Sequence, residues 1–173
     1  TNYNHPELGK AAVKVLEELG FRVVVPNVRC CGRPMLSKGM LEKARRNARH
    51  NVARIYPYVE RGVKLVGLEP SCILGFKDDY VDLLDGDQRA RTVEASTMLI
   101  EEFVLHAADE YGARIVTEGS ASKLMLHGHC HQKALVGTDA AMQVSPTDTA
   151  SESSSTKGTS ATRSKHSMPQ RPK

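Results

Sequence analysis

Apolar residues recur every three or four positions at Leu8, Ala11, Ala12, Val15, Leu16 and Leu19, the period of one helix face. Asn4 stands where a cap belongs, Pro6 and Glu7 fall in the first turn, and Gly20 follows the last. Phe21-Arg22-Val23-Val24-Val25 then reads as a strand that Pro26 stops. A second stripe, Leu41, Ala44, Ala48, Val52, Ile55 and Val59, predicts a helix over 38–60. Residues 63–68 make a second strand, and a helical stretch runs from Pro70 towards Leu84 before a turn at Asp85-Gly86-Asp87. A third long helix is expected over 92–111, with Ile100, Phe103, Val104, Ala107 and Tyr111 inward, and a third strand over 123–126. Strands separated by helices predict an α/β fold, an open parallel sheet with flanking helices. The unbroken runs RVVV, KLVGL and KLML suit strands buried on both faces.

The pattern ends near Val144. Residues 145–173 are rich in Ser, Thr, Lys and Pro, and Met168 is their only large apolar side chain. Such a segment cannot bury enough surface to offset its ordering entropy, so a disordered tail is expected. The tail also explains most of the formal charge of +4, because it holds five Lys or Arg against Asp148 and Glu152. The remainder carries 19 basic and 18 acidic residues, which is not the balance of a nucleic-acid-binding domain. The basic run Lys43, Arg45, Arg46, Arg49 and Arg54 lies mostly off the apolar stripe and reads as a solvated face, with docking of an acidic partner as the alternative. No apolar run reaches the roughly eighteen residues of a membrane span, and no signal-peptide pattern opens the chain. A cytoplasmic location is therefore expected. The start at Thr1 in place of Met points to a preceding segment.

Four cysteines carry the candidate chemistry: Cys30, Cys31, Cys72 and Cys130. Each group follows the predicted C-terminal end of a strand, where the crossover loops of a parallel sheet gather sites along one edge. Adjacent cysteines such as Cys30 and Cys31 rarely bond to each other, because the peptide between them is stiff. Gly32 removes a Cβ that would obstruct a bulky group, and Pro34 and Pro70 stiffen their loops. Cys72 near a helix start is expected to have a lowered pKa, favouring the thiolate that binds soft metals. His129 and His131 beside Cys130 are expected to support ligands through hydrogen bonds. The alternative for a lone cysteine such as Cys72 is a small buried hydrophobe.

The strings RCCGRPMLSKGMLEKARRN, GLEPSCILGFKDDY and LHGHCHQKALVGT resemble the cysteine-rich CCG domain of iron–sulfur oxidoreductases. That family includes the iron–sulfur subunits of glycolate oxidase, anaerobic glycerol-3-phosphate dehydrogenase and heterodisulfide reductase, and the C-terminal part of FAD-linked oxidases of the D-lactate dehydrogenase type. The resemblance covers 1–142. It implies a first module over 1–126, the start of a second over 127–144, and the tail over 145–173. Cys30, Cys31 and Gly32 match the Cys-Cys-Gly string, Cys72 matches the later cysteine, and Cys130 matches the cysteine opening the second module. The family implies that these cysteines bind an iron–sulfur cluster, of 4Fe-4S type, and pass electrons from FAD in a parent enzyme or partner subunit to an acceptor such as quinone at the membrane. By that resemblance the chain is a partial copy: Gly75 stands where a second cysteine is common, and no second Cys-Cys-Gly is present. It is not expected to be catalytic alone. The competing readings are a zinc-binding or partner-docking module, a thiol–disulfide enzyme, and an inert truncated product.

Overall fold

The computed structural model describes residues 5–112 and 125–145. Helix α1 spans Pro6–Glu18. An extended segment leads to α2 (Arg33–Leu36) and α3 (Leu41–Val59). Strand β1 (Leu65–Gly67) precedes α4 (Pro70–Lys77), α5 (Asp79–Leu83) and α6 (Gln88–Ser96). Strand β2 (Thr97–Leu99) continues into α7 (Ile100–Tyr111), and α8 (Cys130–Leu135) and α9 (Asp139–Gln143) follow. The strands pair in parallel, Leu65 with Thr97, Val66 with Met98 and Gly67 with Leu99. The fold is therefore α/β, a small open parallel sheet with flanking helices.

Two packed clusters hold it together. The larger joins Ala44, Ala48, Val52 and Ile55 of α3 to Leu74, Tyr80, Ala90, Val93 and Leu99. Small side chains at Ala44, Ala48 and Ala90, all fully buried, let α3 and α6 approach closely. The smaller cluster sets Leu16, Phe103 and Ala107 against Phe21, Val23, Val66 and Met98. Gly67 is required by packing, since a Cβ there would lie 2.3 Å from the Cβ of Ile73.

Several expectations change. Residues 92–111 do not form one helix. Thr97, Met98 and Leu99 extend to pair with β1, and burial of Thr97 and Leu99 with Met98 between them follows a strand's alternation. Residues 21–25 form no strand; Phe21 and Val23 pack inward while Val24 and Val25 stay exposed, without a ladder of their own. Lys123 and Leu124 lie outside the described residues, and Met125 and Leu126 carry no regular structure. The stretch after Pro70 breaks at Asp78 into α4 and α5. The expected turn at Asp85-Gly86 forms, with positive φ at both residues. Tyr111 is exposed, its ring meeting Phe21 edge-on. Asn4 and the tail over 146–173 lie outside the described residues, so the expected cap and the expected disorder do too.

Candidate metal centre

Cys30 and Cys31 end the extended segment, and Gly32 turns the chain into α2 at φ 94°. That conformation favours glycine. Its missing side chain faces Ala44, where a Cβ would sit in ordinary contact at 3.5 Å, so the backbone angle rather than space demands Gly32. The cysteine backbone is clamped from beneath. Asn51, fully buried on α3, accepts from the Arg29 N–H at 2.7 Å and donates to the Arg29 carbonyl at 3.2 Å and to the Tyr80 hydroxyl at 2.9 Å. The Tyr80 hydroxyl donates to the Cys31 carbonyl at 3.0 Å. Asn47 donates to the Cys30 carbonyl at 3.0 Å. Each buried polar group is thus matched. Arg33 anchors the following turn through an ion pair with Asp79, 3.1 Å away.

Cys72 arrives from the other side. Glu69 caps α4, its carboxylate accepting from the Ser71 N–H at 3.2 Å and the Cys72 N–H at 2.7 Å. Pro70 fits the first helical position, where no N–H is needed. This fixes Cys72 in the first turn with its thiol directed at Cys31.

The two loops bring three thiols together. Cys30, Cys72 and the Arg33 backbone N–H all lie close enough to the Cys31 sulfur to favour its charged form. Together they outweigh burial and hold the Cys31 thiol down at about 6. Cys72 shifts the opposite way. Its thiol is pushed far up by the neighbouring Cys31 thiol, by burial and by the Glu69 carboxylate. The helix-start expectation for Cys72 is therefore corrected: the thiolate of this pair sits on Cys31, since two neighbouring thiols share one negative charge more easily than they carry two. Cys31 is buried at the cluster's inner wall, whereas Cys30 and Cys72 are exposed.

Cys130 occupies a different setting. It is the first residue of α8, not the residue after a strand, and it is exposed. Cys130 is not among the groups that act most strongly on Cys31. His129 caps α8, its Nδ1 accepting from the His131 N–H at 3.2 Å. His131 Nε2 lies 3.7 Å from Asp78 Oδ2, and its buried Nδ1 has no partner among the described residues. Helix α8 packs against α4, and Gln132 donates to Glu101 at 2.7 Å.

Among the described residues, no three or more His, Cys, Asp or Glu side chains are arranged to hold one metal ion. Of the residues expected from sequence, the fold brings Cys30, Cys31 and Cys72 near one another and leaves Cys130 on α8. Sequence reasoning missed Asn47, Asn51, Glu69 and Tyr80. Asn51 was the readable signal, a polar residue beside Val52 on the buried stripe of α3.

Residues 1–77 match the family model described as "CCG: Cysteine-rich domain". Over those residues the chain is similar to the cysteine-rich CCG domain. The match ends at Lys77, the last residue of α4, so it takes in Cys30, Cys31 and Cys72 but not Tyr80 or Cys130. The chain is 29% identical over 136 residues to a subunit of the anaerobic glycerol-3-phosphate dehydrogenase of Escherichia coli (strain K12), covering 78% of this chain and 34% of that protein. It is 31% identical over 140 residues to lactate utilization protein A of Anoxybacillus flavithermus, covering 77% of this chain and 55% of that one. It is 27% identical over 139 residues to D-2-hydroxyglutarate dehydrogenase of Pantoea ananatis, covering 80% of this chain and 13% of that one. The chain thus spans about a third of the first of these relatives and about half of the second. No solved structure matches it. No helix among the described residues is long and apolar enough to cross a membrane.

Proposed function

We infer that the chain is an iron–sulfur electron-transfer module of a FAD-linked 2-hydroxyacid oxidoreductase of the D-lactate or glycolate type. The observation that carries this reading is the convergence of Cys30, Cys31 and Cys72 from two separate loops, with Cys30 and Cys72 open to solvent. Such a donor set fits three corners of a thiolate-held 4Fe-4S cluster, whose sulfurs are spread over several irons rather than gathered at one ion. The relatives support the redox class, being named as a dehydrogenase subunit, a dehydrogenase and a lactate utilization protein.

In this reading Cys30, Cys31 and Cys72 are the ligands, and Cys130 opens a second site with His129 and His131 beside it. When bound, the cluster supplies a one-electron relay. The chain's own residues do the positioning. Asn47, Asn51 and Tyr80 hold the carbonyls of 29–31 away from the thiols. Gly32 supplies the positive φ that turns the chain into α2 directly after the cysteine pair. Glu69 orients the first turn of α4. FAD and the hydroxyacid belong to a partner subunit or domain, and electrons leave to a quinone or another membrane-associated acceptor from a cytoplasmic position. Four free thiols suit such a reducing compartment.

The test is anaerobic reconstitution with iron and sulfide, followed by metal and acid-labile sulfide analysis. Brown protein containing both, with sharply less in Cys31→Ser and Cys72→Ser, is the expected result. Stoichiometric zinc without sulfide would replace this reading with a zinc module. Colourless, metal-free protein would leave a vestigial domain.

A further inference from the structure

We propose that the flank of α3 beside the cysteine pair is a docking surface for an acidic protein face. Lys43, Arg46, His50 and Arg54 are spaced by three, four and four residues, which lines them along one side of the helix. The stripe runs about 16 Å at 1.5 Å per residue. Lys43, Arg46 and Arg54 are exposed, and none of the four enters an ion pair among the described residues. Glu42, the one acid within this helix, is four residues before Arg46, but its carboxylate is taken up by Arg45 at 3.2 Å.

A merely solvated helix relieves like charges with acids three or four residues away. This stripe sets cation against cation at Lys43–Arg46, Arg46–His50 and His50–Arg54, and the one acid in reach, Glu42, is engaged by Arg45. The arrangement is mildly unfavourable to the free helix and is relieved by acids from outside. Its position is specific. Asn47, next to Arg46 in sequence, holds the Cys30 carbonyl, and the exposed Arg29 is tied through its backbone to Asn51. An acidic partner seated on the stripe therefore engages the same helix that holds the Cys30 backbone.

The near-balance of charge before the tail favours a protein over nucleic acid, because the cations are segregated on a neutral body rather than spread over a basic one. Complementary charge beside a site steers encounter and sets orientation. The surface exists whatever the thiols hold, so this proposal stands apart from the cluster reading.

The test uses the full chain and three probes at low salt: a poly-glutamate peptide long enough to span the stripe, an oligodeoxynucleotide of equal charge, and phosphatidylcholine vesicles containing phosphatidylserine. Variants are Arg46→Glu with Arg54→Glu, and Lys10→Glu on α1 as a control away from the stripe. All should keep the wild-type circular dichroism. The peptide is expected to bind best, to weaken with salt, and to shift amide signals over 43–54 and at Arg29–Cys30. The double reversal should weaken it roughly tenfold, the control hardly at all. The proposal is overturned if the peptide does not bind, or if DNA or vesicles bind more tightly. It also fails if Lys10→Glu has an equal effect, or if binding persists in the double reversal and so comes from the basic tail.

Discussion

Replacing Tyr80 with Phe removes one oxygen from the most enclosed position under the cysteine pair. Tyr80 is fully buried and stacks at 4.3 Å against Phe76. The ring stays in Tyr80→Phe, so no large cavity opens. What is lost is the donor to the Cys31 carbonyl and the acceptor for one Asn51 N–H. Burial pushes the Tyr80 phenol up, so the hydroxyl keeps its proton and its donor role across the working pH range. Leaving two buried polar groups without their partner costs about 1–3 kcal/mol each before relaxation. Partial relaxation brings the expected loss to about 2–3 kcal/mol. Urea unfolding should show the midpoint falling by roughly 1–2 M with an unchanged slope. Asn51→Ala should not add fully to Tyr80→Phe, since the two share a bond, and a double-mutant cycle reads the coupling. A Tyr80→Phe loss below about 0.5 kcal/mol, the range of a surface substitution, would refute the clamp.

Gly32→Ala should destabilise by about 1–2 kcal/mol in thermal or urea unfolding through its positive φ alone, and Ala44→Gly should not rescue it because Ala44 is not in the way. Gly67→Ala should cost about 1–3 kcal/mol from the clash with Ile73, and Ile73→Ala in the same chain should recover part of that loss. In the reduced, metal-free chain, thiolate absorbance should report one thiol titrating near 6, and Cys72→Ala should move it up. The folded pKa of Cys31 lies below the ordinary thiol value. Its contribution to stability is therefore full above that ordinary value and is lost as pH falls towards about 6. Cys72, raised, contributes oppositely, so stability should decline again at alkaline pH.

The pattern along the chain was enough to decide the fold class, α1, the body of α3 and the strand at Leu65–Gly67, because their apolar periods reflect local geometry. It also singled out Cys30, Cys31, Gly32 and Cys72 as candidates, while leaving a buried small hydrophobe as the alternative for Cys72. Tertiary structure alone decided that residues 97–99 leave a helical period to pair with β1, because a parallel partner lies more than thirty residues away and no local window contains it. It likewise decided which thiol carries charge. A helix start lowers a thiol in isolation, but the contact with Cys31 and the Glu69 carboxylate reverse that at Cys72. Such interactions depend on distances between segments remote in sequence, and only the folded chain sets those distances.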